Sequence, residues 1–396
     1  MSQASAVFHL IRNAQLYCPE PAGIGHVLVA GERMVYVGKD APEIGASLLV
    51  SDIDAAGAPL MPGIIDIHAH LTGGGGEAGF ATQVPPVPLS DFVRAGITSV
   101  IGLLGTDDIT RSTDSLVARV RGLREEGLSA WCYTGGYHWP ATTLTGSVTR
   151  DIVSIDCIVA LGELAISDHR SSQMTQAELA RAAGEAHVAG LMTGKAGVCH
   201  LHLGDADAGL TMVRRALADT DIPARVFNPT HCNRKVALFD EACELANHGC
   251  FIDLTAFPVA EGEDGLEADI GLTQFLDRGG DPGRITISSD SGGCLATFDA
   301  QGVATGLDYG RAQTLATTLA RCIAAVGIER ALPAFTRNPA TLMRLHSKGR
   351  INVGCDADLV LLGSDNEIHS VMARGEWMVS DSAVKKFGTF ESTEQQ

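Results

Sequence analysis

Between Met61 and about Leu345, short apolar runs alternate with Ala-rich stretches of helical periodicity. Thr98-Ser-Val-Ile-Gly-Leu-Leu precedes Asp114 to Glu126, and Ala177 to Ala189 precedes Gly197 to Leu203. Repetition of strand, helix, strand argues for a parallel sheet with its helices packed outside. A closed barrel and a doubly wound open sheet both satisfy this pattern. The length suits eight such units, and a barrel has no edges to protect. The ends of the chain read differently. From Val7 to about Ile53, runs such as His26-Val-Leu-Val-Ala and Met34-Val-Tyr-Val are separated by turn residues, which predicts small antiparallel strands. Asp358-Leu-Val-Leu-Leu, Ile368-His-Ser-Val-Met-Ala and Trp377-Met-Val-Ser repeat that texture, so the two ends can pair into one β-unit. Glu391 to Gln396 reads as a frayed tail.

With 396 residues, the chain has room for a barrel of about 250 residues plus an accessory unit. Apolar residues at 45%, charged residues at 19% and 45 glycines fit a compact enzyme with many tight turns. A net charge of −18 leaves no excess of Lys and Arg to neutralise phosphates, which excludes a nucleic-acid or anionic-membrane partner. Ten cysteines without a close-spaced CxxC pair read as small buried residues in a reducing compartment, so the expected location is the cytoplasm. Met1 to Glu20 lacks a basic segment followed by an apolar one, and no run of 18 apolar residues occurs. A soluble, unprocessed chain is expected.

The strongest local signal is Ile64-Ile-Asp-Ile-His68-Ala-His70, an apolar strand ending in two histidines one residue apart. Positions i and i+2 share a face of a strand, so both imidazoles can reach one metal ion. His200-Leu-His202 closes another apolar run, His231 follows Asn228-Pro-Thr, and Asp290 follows Arg284-Ile-Thr-Ile-Ser-Ser. All stand at the ends of predicted strands, where a parallel barrel gathers side chains from distant segments. Cys199 and Cys232 alternate to the other face and read as packing residues.

Met61-Pro-Gly-Ile-Ile-Asp-Ile-His-Ala-His resembles the first-strand motif of the amidohydrolase superfamily, and Asn338-Pro-Ala with Lys348-Gly-Arg-Ile-Asn-Val-Gly-Cys-Asp-Ala-Asp-Leu-Val resembles its C-terminal motif. Within that superfamily, Gly73-Gly-Gly-Gly-Glu77-Ala-Gly, Leu103-Leu-Gly-Thr106-Asp, Gly136-Tyr137-His, Ala165-Ile-Ser-Asp-His-Arg170, His202-Leu-Gly-Asp and Pro229-Thr-His231-Cys-Asn-Arg234 are similar to motifs of isoaspartyl (β-aspartyl) dipeptidases. The resemblance implies a (β/α)8 barrel over 61–345 and a small β-sandwich from 1–60 and 346–396. It also implies two zinc ions held by His68, His70, His202, His231 and Asp290 with a hydroxide between them, and a homo-oligomer. Asp290 is expected to act as base and Tyr137 as donor to the developing oxyanion. A β-aspartyl dipeptide carries one ammonium and two carboxylates, which Glu77, Arg170 and Arg234 match in charge. Gly75, Thr106 and Cys294 complete the expected substrate contacts.

Two positions depart from the family pattern. Where the dipeptidases carry a carboxylated lysine between the metals, Leu161-Gly-Glu163-Leu-Ala-Ile holds Glu163, whose carboxylate is an acceptable zinc ligand on a shorter stem. Two metals closer together, or one held firmly, are the alternatives. Lys195 lies in a neighbouring segment and is a poor substitute. Cys294 stands where the dipeptidases place a serine, and Ala81 to Pro88 forms a proline-rich rim beside Glu77. Hydrolysis of β-aspartyl dipeptides is the leading expectation. The alternatives are an amidohydrolase for another β-aspartyl amide or N-acyl amino acid, and a barrel that binds amino-acid ligands without turnover.

Overall fold

The structure, a computed structural model, describes residues 8–45, 47–260, 262–299 and 301–391. Met1 to Val7 and residues 392–396 of the expected tail lie outside that range. Glu391 itself is tied down, its carboxylate accepting from Ser90 N.

The parallel strands are β1 (Ile64–Ala69), β2 (Ile97–Gly102), β3 (Ser129–Thr134), β4 (Ile158–Ile166), β5 (Cys199–Leu203), β6 (Phe227–Thr230), β7 (Ile252–Thr255) and β8 (Ile285–Ser288). β1 to β6 form one six-stranded ladder in sequence order, and β7 with β8 forms a second, two-stranded one. Backbone bonds continue beyond both: Cys232 N donates to Asp253 O at 3.1 Å, Asp290 N to His68 O at 3.1 Å, and His70 N to Ser291 O at 2.7 Å. The sheet therefore curls, and the segment after β8 returns to the end of β1. The strands are rich in Ile, Val and Leu and buried throughout β1, β2 and β4, as strands covered on both faces must be.

Outside the sheet, helices follow the expected periodicity. Thr113–Glu125 starts at a capping box on Ser112, and Gln176–Thr193 at one formed by Thr175 and Glu178. The second helix outruns its expected end at Ala189 and stops where Gly194 takes φ +74, a conformation a glycine adopts without a Cβ penalty. Phe92, Leu116, Val120, Leu179, Phe239, Phe275 and Leu319 fill the layer between sheet and helices. No helix among the described residues is long and apolar enough to cross a membrane.

The two ends meet in a nine-stranded sheet. Phe8–Tyr17 pairs antiparallel with Pro21–Ala30, and Pro59–Pro62 pairs antiparallel with Leu359–Leu362, which joins the ends of the chain. One expectation is corrected: Val50–Asp54 runs parallel to Phe8–Tyr17, as does Pro59–Pro62 beyond the segment expected to be antiparallel. Arg33–Gly38 runs antiparallel to Pro21–Ala30, and the connection from Gly38 to Val50 is long enough to bring the chain back in the same direction. Ile11, Val27, Met34, Leu60, Leu359 and Met372 form this unit's own core.

Lys348 fastens this unit to the foot of β3. Its buried ammonium donates to Ser129 Oγ at 2.7 Å and pairs with Asp356 at 2.7 Å and with Asp358. Lys348→Met leaves the buried Asp358 without its cation, while Asp356 keeps Arg33, and we expect it to lower unfolding free energy in urea by about 3–5 kcal/mol. A loss below about 1 kcal/mol would show that the ammonium adds little beyond its packing.

Candidate metal centre

Six side chains converge at the C-terminal ends of the parallel strands. His68 ends β1 and His70 follows it, Glu163 lies in β4, His202 in β5, His231 just past β6 and Asp290 just past β8. All six are buried. They form three overlapping groups whose ligand atoms lie within 4.8 Å of one another: His68, His70 and Glu163; His68, His231 and Asp290; Glu163, His202 and His231. Glu163 Oε1 faces His70 Nε2 at 3.4 Å, while Oε2 faces His202 Nδ1 at 3.2 Å, His68 Nε2 at 3.6 Å and His231 Nε2 at 3.8 Å. Asp290 Oδ1 lies 3.3 Å from His68 Nε2 and 3.1 Å from His70 Nε2. Ligands about 2.0–2.1 Å from a tetrahedral zinc stand roughly 3.3 Å apart, so these spacings have room for a shared ion.

The donor set fits divalent metal on a second ground. His68 Nε2, Glu163 Oε1 and Asp290 Oδ1 are buried without a hydrogen-bond partner. Orphaned polar atoms of this kind are costly unless a cation satisfies them. Burial holds His68 and His231 below the usual imidazole range and His202 down at about 3, so these three rings are neutral and have a lone pair to give. Burial, with Asp290 beside it, pushes the Glu163 carboxyl well above its usual range, and positive charge is what would restore the carboxylate. Two ligands also sit in a backbone conformation that non-glycine residues seldom adopt, His231 at φ +58 and Asp290 at φ +53. Such strain persists only where the surroundings hold it.

A further layer orients the ligands. Asn228 Nδ2 donates to Phe251 O at 2.9 Å, which turns its Oδ1 toward His200 Nδ1 at 2.7 Å. His200 must therefore donate from Nδ1 and accept at Nε2, which takes the Nδ1 proton of His68 at 2.8 Å and leaves His68 Nε2 free for metal. Thr255 Oγ1 holds His231 Nδ1 at 2.7 Å, and Asp168 Oδ2 holds His202 Nε2 at 3.0 Å. The buried Asp66 accepts from His68 N and from both the amide and hydroxyl of Ser289, tying the end of β1 to the segment that carries Asp290. Gly105 is required by close approach: a Cβ there would lie 2.7 Å from His70 Cε1.

A cavity of about 810 Å³ opens on the centre and is lined by His70, His202 and Asp290. Every expected substrate contact also lines it: Gly75, Glu77, Thr106, Tyr137, Arg170, Arg234 and Cys294. Thr106 Oγ1 donates to Glu77 Oε1 at 3.0 Å, while Glu77 Oε2 is buried and unpartnered. Among the described residues, Arg234 has its Nε buried and unpartnered and pairs only with Asp205, at 3.8 Å. The Arg170 guanidinium is held on several sides. Asp168 engages it at both oxygens and Glu77 lies at 3.4 Å, with the rings of Tyr137 and Phe298 against its faces. Tyr137 OH lies 2.8 Å from His202 Nδ1, and burial keeps the phenol protonated well above its usual range. Burial, with Glu77 nearby, likewise pushes the Cys294 thiol up to about 12.

Gly75 at φ +86 has no room for a side chain against Thr82 O. The rim from Ala81 to Pro88 secures this glycine loop, with Val84 N donating to Gly74 O and Arg111 to the carbonyls of Thr72, Gly74 and Val84. Lys195 is far from this work, its ammonium bonding Ile152 O and Ile155 O. Cys199 and Cys232 lie in the outer core, as expected. Asp66, Asp168, Asn228 and Thr255 were not singled out from sequence. Asp66 and Asp168 carried a signal, one two residues before His68 on the same strand face and the other inside Ser-Asp-His-Arg. Asn228 and Thr255 act only through pairings across strands.

Residues 60–378 match the amidohydrolase family. Among solved structures, the chain is similar to a β-aspartyl dipeptidase of the thermophilic, keratin-degrading Fervidobacterium islandicum in complex with β-Asp-Leu dipeptide. That likeness is 38% identity, 97% of this chain, 100% of the other and a TM-score of 0.90. A second structure of a β-aspartyl dipeptidase from this organism gives 36% identity, the same coverage and a TM-score of 0.88. A deacetylase of Agrobacterium fabrum is 25% identical over 86% of this chain and 81% of its own length.

The relay through His200 makes a measurable demand. His200→Phe keeps a ring stacked on Tyr133 but removes the acceptor that fixes the His68 tautomer, and we expect zinc affinity in chelator competition to fall about 10–100-fold. Wild-type affinity in this variant would show that His68 is oriented without the relay.

Proposed function

The chain belongs to the amidohydrolase family and is a metal-dependent hydrolase, and from that premise we propose that it hydrolyses the isopeptide bond of β-aspartyl dipeptides. The observation that carries this reading is the buried, unpartnered Glu77 Oε2 in the same cavity as Arg170 and Arg234, beside the six candidate ligands. One carboxylate and two guanidinium groups complement one ammonium and two carboxylates. We read β1 to β8 as a closed (β/α)8 barrel over 61–345, with 1–60 and 346–396 as an accessory β-sandwich. We further read the protein as a cytoplasmic homo-oligomer, in keeping with cysteines that are all free.

On this reading His68, His70, Glu163, His202, His231 and Asp290 would hold two zinc ions, with Glu163 between them. Such a centre supplies water of lowered pKa and polarises the scissile carbonyl. The chain's own groups do the rest. Asp290, whose carboxylate is buried among the six candidate ligands, accepts the proton of the attacking water and returns it to the leaving amine. Tyr137 turns its hydroxyl from His202 to the developing oxyanion, a donor that burial keeps protonated. Glu77 Oε2 receives the substrate ammonium, with Thr106 holding the other oxygen in place. Arg234 takes the carboxylate of the leaving residue. Arg170, already aligned by Asp168 and two aromatic rings, faces the aspartyl carboxylate, and Gly75 and Cys294 form the remaining wall.

A second reading, hydrolysis of an N-acyl amino acid, is favoured by the likeness to a deacetylase and by Cys294, a weaker donor than serine at the polar end of the cavity. Binding without turnover finds no support, since all six candidate ligands are present and converge. Zinc-loaded protein is expected to cleave β-Asp-Leu and leave α-Asp-Leu intact. If neither dipeptide is cut and N-acetyl-leucine is, the second reading replaces the first.

A further inference from the structure

Asp253, at the middle of β7, is wholly buried and has no part in the chemistry above. Its carboxylate accepts three hydroxyl bonds from the strands on either side. Thr230 Oγ1 on β6 reaches Oδ2 at 2.8 Å, Ser288 Oγ on β8 reaches Oδ2 at 2.6 Å, and Thr286 Oγ1 on β8 reaches Oδ1 at 2.6 Å. β7 and β8 are paired residue for residue, with Asp253 opposite Thr286, whereas the ladder that runs from β1 to β6 is interrupted before β7. Backbone hydrogen bonds fix strand separation within a ladder, and between β6 and β7 the described residues include one, Cys232 N to Asp253 O at 3.1 Å, so side chains share in setting the separation there. Thr230 immediately precedes His231, and Ser288 lies two residues before Asp290. His231 and Asp290 take left-handed φ and must bring their ligand atoms within 4.8 Å of each other and of His68.

We propose that Asp253 is a positioning residue of the metal centre: by drawing β6 and β8 onto one carboxylate, it sets the separation at which His231 and Asp290 meet. Burial pushes this carboxyl up to about 7 against the pull of its three hydroxyl bonds, so keeping it as a carboxylate is costly. An apolar residue would fill the same space without that cost, but it could not accept from both neighbours. Thr255, two residues along β7, extends the arrangement by holding His231 Nδ1. The proposal rests on the metal-centre reading and is independent of which amide is cleaved.

The test uses the full chain and reads metal binding instead of turnover: zinc Kd by chelator competition, and the absorption spectrum of the Co²⁺-loaded protein. Asp253→Leu is expected to weaken zinc about 10–100-fold and to alter the Co²⁺ spectrum. Asp253→Asn can still accept from Thr230 and Ser288 and donate to Thr286, so near-wild-type affinity is expected there. A folded Asp253→Leu protein with wild-type affinity and spectrum would overturn the proposal, as would an Asn variant as damaged as the Leu variant. If Asp253→Leu does not fold, Thr230→Val and Ser288→Ala decide by the same two readings. Each should weaken zinc roughly two- to tenfold through loss of one hydrogen bond, and unchanged binding in both would sink the idea.

Discussion

The Glu163 carboxylate lies out of reach of solvent among four histidines, and much of the architecture is arranged around it. An ionised carboxylate in such a place is tolerated only with positive charge close by. Three of the neighbouring rings, His68, His202 and His231, do not supply it, because burial keeps them neutral. Arg170 and Arg234 act on it only from a distance. A cation among these side chains would supply it, and the orphaned atoms at His68, Glu163 and Asp290 mark where it would sit. The two oxygens of Glu163 face different imidazoles, so on the proposed reading a short carboxylate can span two ions without lysine carboxylation.

Much of the fold was legible because its signal is local. Alternation of strand and helix predicted the parallel sheet, and the β-branched texture of the two ends predicted that they could meet. The direction of Val50–Asp54 and Pro59–Pro62 was not legible, since it depends on a connection whose course no periodicity records. The helix that begins at Gln176 outran its expected end because its stop is a backbone conformation at Gly194, four residues after the last buried position of its apolar pattern.

At the site the same division holds. His68, His70, His202, His231 and Asp290 announce themselves as polar residues closing apolar strands, and the structure brings them together with Glu163. Residues that orient them are harder to see. His200 became meaningful only when Asn228 and Phe251 fixed its tautomer across two strands, and Asp66 only when Ser289 arrived from the far end of the barrel segment. Arg170 could be matched to a substrate carboxylate by charge alone, whereas its engagement by Asp168 and Glu77 is visible only in the structure. That pairing preorganises the guanidinium for a planar anion and leaves Arg234 as the more open cationic group.

Metal stoichiometry tests the role of Glu163 most directly. Wild-type protein and Glu163→Gln, each loaded with zinc and freed of excess metal by gel filtration, should be compared by zinc content per chain. The account predicts two zinc ions in the wild type and at most one in the variant, because an amide cannot supply an anionic oxygen to both sides. A variant that keeps the full wild-type content would contradict it, and would show that the metals are held without Glu163 between them.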